Sequence, residues 1–203
     1  MIRQRSWFPI AYMFCATAFF SSIVIGLTYL TSDRVEANET LALERAVLSV
    51  LPDVDVEKMM RTEIHNTFTE MIVEPNDASG SVYTARNDNA IVAYVLRMSG
   101  QGFWAPIRGV MGIKPDRKTI TGIAFYEQNE TPGLGAEIAE MPFRSQFRGK
   151  VISSGDAPMK IKRPGTTLGD SEVHAVTGAT QTSNRLEVII NTALKQWRDE
   201  SVK

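Results

Sequence analysis

The sequence of 203 residues has few of the side chains on which most metal and catalytic sites depend. It contains one cysteine, Cys15, and two histidines, His65 and His174. Cys15 lies inside a long apolar run and cannot form an internal disulfide, and neither histidine has a second ligand at a metal-binding spacing. A Ser-His-Asp order, a Walker-type loop and a G-x-G-x-x-G fingerprint are absent. The sequence therefore predicts no metal site and no catalytic residues of these kinds.

The chain also lacks an excess of charge of one sign. It has 22 basic and 23 acidic residues and a formal net charge of −1. No block of basic residues with interleaved aromatics occurs, so nucleic acid is not a predicted partner. The length suits one compact domain with an appendage, and a hydrophobic content of 43% is ordinary for a globular core.

Residues 6–32 contain no charged side chain and are rich in large apolar residues. This run is long enough for a single transmembrane helix, which needs about 20 mostly apolar residues. A cleaved signal peptide is the alternative. The run is longer than the usual apolar region of about 7–15 residues in such peptides, and no A-x-A cleavage site follows it. We therefore interpret residues 1–32 as a cytoplasmic N-terminus and a retained membrane anchor.

The charges that flank the apolar run predict its orientation. Arg3 and Arg5 precede it, whereas Asp33, Glu36 and Glu39 are among the residues that follow it. By the positive-inside rule, the N-terminus is cytoplasmic and the remainder lies outside the cell's inner membrane. The sequence thus predicts a single-pass protein of the inner, cytoplasmic membrane with its main domain on the outer, periplasmic side.

The rest of the chain reads as a helical linker region over residues 33–79 and an extracytoplasmic domain over residues 80–203. In the linker, residues 37–51 form a predicted helix that ends before Pro52, and residues 74–80 are polar. Strands are predicted over residues 82–86, 90–98, 102–113 and 119–127, with a turn at residues 114–118. The expected fold class is α+β, a twisted antiparallel sheet packed by helices.

The last predicted helix has the clearest pattern. Its apolar residues recur at helical spacing and should face the sheet: Leu186, Ile189, Ile190, Ala193, Leu194 and Trp197. Asn184 and Glu187 have the spacing of a capping box, so the helix should begin just after residues 177–183.

The heptapeptide TGATQTS, residues 177–183, stands immediately before this helix. It places four hydroxyl groups around Gly178 and Ala179, on Thr177, Thr180, Thr182 and Ser183. A helix N-terminus offers unpaired N–H groups and a partial positive charge, and small residues let the backbone approach a ligand, so the pattern favours a phosphate site. An ordinary loop that ends in an N-cap is the alternative.

Two further segments precede this one, GFW at residues 102–104 and ETPGLG at residues 130–135. Taken alone, ETPGLG predicts only a turn. Pro132 rigidifies it, Gly133 and Gly135 permit unusual dihedral angles and close approach, and Leu134 is available to contact a ligand.

In their order and spacing, these three segments resemble FMN-binding domain proteins, and in particular the G-type subunits of Rnf ion-translocating electron-transport complexes. The resemblance covers roughly residues 80–197. The same domain occurs in the C-type subunits of sodium-translocating NADH:quinone reductases. The absence of a large insertion between anchor and motif favours the Rnf type.

The resemblance implies that FMN is joined through its phosphate to Thr180, the threonine that directly follows Gly178 and Ala179. Thr182 is the second candidate for the ester, or a hydrogen-bonding or capping residue. Six positions before the modified threonine the family usually has an acidic residue, where this chain has His174; Asp170 and Glu172 lie nearby. The remaining residues of the implied cofactor site are Thr177, Ser183, Glu130, Thr131, Leu134, Gly135, Trp104 and Lys150.

The resemblance further implies an electron-transfer subunit with no turnover of its own, which relays single electrons at the outer face. Its partners would be other membrane subunits, among them a second flavin-bearing subunit, a cytoplasmic iron–sulfur module upstream, and a flavin transferase for maturation. Two alternatives remain open, a stand-alone membrane-anchored flavoprotein and an assembly module without flavin.

Overall fold

A computed structural model describes residues 7–75, 82–88 and 90–200. The chain divides into two units, Met1–Thr40 and Leu41–Lys203. Arg3 and Arg5, on which the predicted orientation depends, lie outside the described residues, as do residues 76–80 of the polar stretch and the predicted domain boundary at residue 80.

Helix α1 spans Phe8–Ser49. Within the described residues it is the one helix that is long and apolar enough to cross a membrane. The sequence predicted the apolar run and the helix over residues 37–51 as separate elements, whereas the structure has one continuous helix. Glycine and proline are both absent from residues 27–51, so nothing interrupts the helix before the turn that leads to Pro52.

The predicted antiparallel sheet is confirmed. It consists of β1 (Ile72–Val73), β2 (Val82–Asn87), β3 (Ala90–Gln101), β4 (Pro106–Ile113) and β5 (Ile120–Glu127), paired in that order. The prediction that a strand begins at Gly102 was wrong. The Gly102 N–H donates to the carbonyl oxygen of Ala105 at 2.9 Å, so residues 102–105 form the turn between β3 and β4.

Helices cover both faces of this sheet. On β3, Leu96 and Met98 belong to a core that includes the apolar stripe of α4 (Thr180–Glu200). The alternate residues Ala93 and Val95 face a second core, formed with residues 41–49 of α1 and with α2 (Arg61–Met71). The period of two along a strand accounts for this division.

Several short elements connect β5 to α4. They are α3 (Met141–Arg144), the parallel pair β6 (Lys160–Lys162) and β7 (Glu172–His174), and 3₁₀ turns at Gly135–Ala139 and Ser145–Phe147. The sequence predicted none of these, nor α2. The β6–β7 pair packs beside α4, where the Ile161 N–H donates to Glu187 Oε2 at 2.6 Å.

The predicted start of α4 was also wrong. The helix begins at Thr180, so Asn184 lies inside it rather than at its cap. Glu187 does not act as a capping residue because its carboxylate accepts the hydrogen bond from β6. Thr180, Thr182 and Ser183 therefore occupy the first turn of the helix rather than the loop before it.

Asp116 organises the turn between β4 and β5. Its Oδ1 accepts the N–H groups of Lys118 and Thr119, both at 2.8 Å, and its Oδ2 accepts the Thr119 hydroxyl at 2.5 Å. The hydrogen bond from the Thr119 hydroxyl, with those from the backbone, lowers the pKa of Asp116. The ionised form is therefore favoured by folding.

Replacement of Asp116 by asparagine should consequently destabilise the fold only where the carboxylate is charged. A lowered folded-state pKa stabilises the protein above the unfolded pKa, about 4, and this contribution is lost as the pH falls through the folded value. Because the group is exposed, we expect Asp116→Asn to lower the free energy of unfolding by less than about 1 kcal/mol at pH 7. Urea unfolding at neutral and strongly acidic pH tests this expectation; an equal loss at both would contradict it.

Candidate functional site

The three segments recognised in the sequence meet at one end of the strands of the sheet. In an antiparallel sheet the end of β3, the start of β4 and the end of β5 lie together, and the register pairs Gln101 with Pro106 and Arg108 with Glu127. The N-terminus of α4 lies at the same end of the sheet. Between the segments lies a cleft of about 330 Å³, lined by Phe103, Trp104, Thr131, Leu134, Gly135, Gly178, Ala179, Thr180, Gln181 and Thr182.

Glu130 joins the three segments behind the cleft. Its side chain is buried, with 5% of the residue exposed. Oε1 accepts the backbone N–H of Trp104 at 3.0 Å, and Oε2 accepts the hydroxyl of Thr182 at 2.6 Å. Hydrogen bonds to a buried carboxylate are among the stronger ones, so Glu130 fixes the β3–β4 turn and α4 relative to its own loop.

Two glycines make room for this arrangement. A Cβ atom on Gly135 would lie 2.5 Å from Thr182 Oγ1 and 2.9 Å from Glu130 Cβ. On Gly102 it would lie 2.6 Å from Glu130 Oε1. Because any side chain at either position would displace these groups, the hydrogen bonds of Glu130 depend on glycine at both.

The hydroxyl groups of residues 177–183 have different environments. Thr182 is 4% exposed and its hydroxyl is bonded to Glu130. Ser183 is 2% exposed, and its Oγ has no hydrogen-bond partner among the described residues. Thr180 lines the cleft and is exposed, and within the described residues its hydroxyl makes no hydrogen bond. Thr177 is exposed but does not line the cleft.

Gly178 shapes the entry to α4. Its φ of +78° is a backbone conformation that favours glycine, and a Cβ atom there would lie 2.9 Å from Leu134 Cδ2. Gly165 provides a matched comparison because its φ is +83° but nothing lies within 4 Å of its hypothetical Cβ.

We expect Gly178→Ala to lower the free energy of unfolding by about 1–2 kcal/mol, because an L residue is strained in the left-handed region. The contact with Leu134 Cδ2 should add little, since this atom is the far end of an exposed side chain that can shift. Gly165→Ala, at nearly the same φ and with open space around it, should therefore lose a similar amount. Denaturant unfolding of both variants measures the difference, and a clearly larger loss in Gly178→Ala would contradict this interpretation.

Exposed apolar side chains form the outer wall of the cleft. Trp104 is 66% exposed and Phe103 49%, and their ring centroids lie 5.0 Å apart at an angle of 70°. Leu134 is exposed beside them. Large apolar side chains clustered at a concave site are typical of surfaces that receive a ligand or a partner. Phe103 and Gln181 also line the cleft, and although both belong to the segments recognised in the sequence, neither was among the predicted site residues.

Other predicted site residues lie elsewhere. Lys150 does not line the cleft, and its Nζ donates to the carbonyl oxygen of Gly169 at 3.1 Å. His174 lies in β7, where its N–H donates to Gln146 Oε1 at 2.8 Å and its Nε2 lies 2.9 Å from the Thr166 carbonyl oxygen. The Glu172 carboxylate accepts the Gly169 N–H at 3.0 Å.

The residues at the cleft fit a flavin nucleotide. The volume of the cleft lies within the range of ligand pockets, about 300–1,000 Å³. The wall of Phe103, Trp104 and Leu134 offers apolar surface for an aromatic ring. The first turn of α4 offers N–H groups without a carbonyl partner in the helix, which suit a phosphate. Gly178, which is exposed and lines the cleft, leaves the backbone at the entry to α4 accessible to a ligand.

Comparison with known proteins supports this assignment. Residues 102–195, just under half of the chain, match the model of the FMN-binding domain family. The C-type subunit of a Na⁺-translocating NADH-quinone reductase from Pasteurella multocida is 34% identical over 119 residues, which cover 57% of this chain and 44% of that protein. The corresponding protein of Chlamydia pneumoniae is 38% identical over 118 residues, 49% of this chain and 37% of that protein. The chain thus spans less than half the length of these relatives.

Solved structures show the same fold. The C-type subunit of a Na⁺-translocating NADH-quinone reductase from Parabacteroides distasonis superposes with a TM-score of 0.67 at 24% identity, over 80% of this chain and 93% of that one. NqrC of Shewanella oneidensis gives 0.51 at 25% identity, over 64% and 70% of the two chains. The predicted resemblance to FMN-binding domain proteins is therefore confirmed, over residues 102–195.

Proposed function

We propose that this chain is an FMN-carrying electron-transfer subunit of a membrane-bound, ion-translocating oxidoreductase of the Rnf type, with FMN joined by a phosphoester to Thr180. The observation that carries the proposal is the environment of Thr180. It is the one threonine of residues 177–183 whose hydroxyl is both in the cleft and free of a hydrogen bond within the described residues. A flavin transferase needs such an accessible hydroxyl.

The alternative acceptor, Thr182, has the same chemistry but a different environment. Its hydroxyl is buried and donates to Glu130 at 2.6 Å. Esterification there would remove that hydrogen bond and place a charged phosphate against a buried carboxylate, which is electrostatically unfavourable. The burial of Thr182 thus favours Thr180 as the acceptor and gives Thr182 a positioning role.

The surroundings of Thr180 suit a phosphoester. A phosphate on its hydroxyl would be at the N-terminus of α4, where the helix dipole and the first N–H groups stabilise negative charge. When bound, FMN accepts and releases electrons one at a time. The chain itself holds the phosphate and supplies the apolar wall of Trp104 and Leu134 for the ring. A covalent link prevents loss of the cofactor where no flavin pool exists to replace it.

The remaining parts of the proposal concern the membrane and the partners. Helix α1 would anchor the chain in the inner membrane with the N-terminus in the cytoplasm and the cleft on the outer side. The names of the relatives support a subunit of a complex like the Na⁺-translocating NADH-quinone reductases, whereas the Rnf type rests on the absence of a large insertion between anchor and motif. The partners would be other membrane subunits, including a second flavin-bearing one, a cytoplasmic iron–sulfur module and a flavin transferase.

One observation favours a second candidate, an assembly module without flavin. His174 occupies the position where the resembling proteins usually have an acidic residue, and its N–H and ring are both hydrogen-bonded, to Gln146 and Thr166. The acidic residue that a transferase would recognise is therefore replaced by a histidine whose backbone and ring are hydrogen-bonded within the fold.

A denaturing gel distinguishes the two candidates. The chain is expressed with a flavin transferase, purified and denatured, and the gel is viewed under ultraviolet light. We expect a fluorescent band with about one flavin per chain. A dark band would reject the flavin relay. If the complex nevertheless failed to assemble without this chain, the assembly module would be favoured.

A further inference from the structure

The described part of the chain contains a second concavity, which shares no residue with the cleft at Thr180. It has a volume of about 420 Å³ and lies entirely within Leu41–Lys203. Three arginines line it: Arg45 from α1, Arg144 from α3, and Arg148, which follows the 3₁₀ turn Ser145–Phe147. One side is formed by Ala124, Phe125 and Tyr126 of β5. We call this concavity the arginine groove.

Arg144 is the most constrained of the three. Its Nε donates to the Ile123 carbonyl oxygen at 2.9 Å, and its Nη2 lies 3.4 Å from Ser49 Oγ. Partial burial lowers the pKa of its guanidinium, although the charges of Glu140 and Glu57 oppose this effect. Within the described residues no carboxylate lies within 4.0 Å of it. A partly desolvated cation without a counter-ion gains free energy when an anion binds beside it.

The other charges around the groove leave an excess of positive groups. Arg45 and Arg148 are exposed, and neither forms an ion pair among the described residues. Two carboxylates also line the groove. That of Asp55 is bound to Lys58 at 2.5 Å, which leaves Glu57 in the lining and Glu140 beside Arg144 as the two acids that oppose the three guanidinium groups.

Strand β5 gives the groove a second means of recognition. It is the last strand in the sheet order, and at its start the neighbouring Thr119 pairs with Val151. Over residues 122–127, no described strand pairs with its outer side. The Ile123 carbonyl points outward to Arg144, and backbone alternation places the peptide groups of Phe125 on that same side. An edge strand with free peptide groups can accept another strand.

We propose that the arginine groove binds an extended, acidic segment of a partner protein, which adds to the outer edge of β5. The main chain of the segment pairs with Phe125, and its carboxylates bind Arg45, Arg144 and Arg148. Strand addition of this kind draws affinity from main-chain hydrogen bonds and specificity from side-chain contacts at alternate positions. The proposal does not depend on the flavin, since the groove and the cleft are separate.

The test uses the full chain in lipid nanodiscs and a fluorescent synthetic peptide of repeated Glu-Val dipeptides, with a Gln-Val peptide as the neutral match. Fluorescence anisotropy measures affinity, and hydrogen exchange measures protection of the Phe125 amide. We expect the Glu-Val peptide to bind and to protect Phe125. Arg45→Gln with Arg148→Gln should weaken binding about tenfold or more, as the loss of two charge-assisted contacts predicts.

Arg86→Gln with Arg185→Gln is the matched control, because both arginines are exposed and lie outside the groove; this pair should bind the peptide as the wild type does. Arg144 is left unchanged because its hydrogen bonds support the fold.

Two results would overturn the proposal. One is the absence of Glu-Val binding. The other is binding of inorganic phosphate or phosphatidylglycerol vesicles with the same arginine dependence, while the peptide leaves Phe125 unprotected, which would show a simple anion site.

Discussion

Replacement of Thr180 by valine is expected to abolish both the covalent flavin and electron transfer through the complex. Valine has nearly the same shape as threonine but no hydroxyl, so no phosphoester can form. Thr180 is exposed and its hydroxyl makes no hydrogen bond within the described residues, so the fold should lose no more than about 0.5 kcal/mol. The expected result is a folded protein that assembles and carries no flavin after denaturation.

Thr177→Val provides the matched control for this experiment. It removes a hydroxyl from the same heptapeptide at an exposed position that does not line the cleft. We expect it to retain flavin fluorescence and the steady-state rate of electron transfer in membranes. If Thr180→Val still passed electrons at the wild-type rate, the relay assigned to this site would be rejected.

Removal of the Glu130 carboxylate is expected to have the largest effect on stability. In Glu130→Ala, the buried Thr182 hydroxyl and the Trp104 N–H lose the partners that they have at 2.6 and 3.0 Å. Each hydrogen bond to a charged group contributes about 1.5–3 kcal/mol, so we expect a loss of about 3 kcal/mol or more in the free energy of unfolding. Denaturant unfolding of the flavin-free chain in detergent measures it.

A double-mutant cycle separates the Glu130–Thr182 hydrogen bond from the rest of this loss. Thr182→Val and Glu130→Ala, alone and combined, should give a coupling free energy of about 1–3 kcal/mol. Glu137→Ala, in the adjacent 3₁₀ turn, is the control, because its carboxylate makes no hydrogen bond in the described part of the chain; it should change stability by about 0.5 kcal/mol or less. Strict additivity of the two single losses would show that the bond does not stabilise the fold.

Sequence periodicity predicted the core face of α4 correctly. All six residues of the predicted stripe are buried: Leu186, Ile189, Ile190, Ala193, Leu194 and Trp197. The beginning of the same helix was harder to predict, because threonine and serine are common in caps and turns and so indicated a loop. Glu187 instead accepts the hydrogen bond of the Ile161 N–H, which lies 26 residues earlier in the chain. No pattern in the residues next to Glu187 indicates this contact.

The cleft, too, was predictable from the sequence only where local patterns are sufficient. Its three segments were recognisable from their residues, and the structure brings all three together. The hydrogen bond that distinguishes Thr182 from Thr180 joins residues 52 positions apart, so no local pattern could reveal it. Strands β6 and β7 have three residues each, too few for a period of two to be visible. Helix α2 buries only Ile64 and Phe68, which is a weak apolar stripe.

Peptide mass spectrometry of the wild-type chain, expressed with a flavin transferase, determines whether FMN is attached to Thr180. Digestion with trypsin releases a peptide that ends at Arg185 and contains residues 177–183. We expect this peptide to gain the mass of FMN minus water, and fragmentation to place the addition on Thr180. An unmodified peptide, or an addition on Thr182, would contradict it.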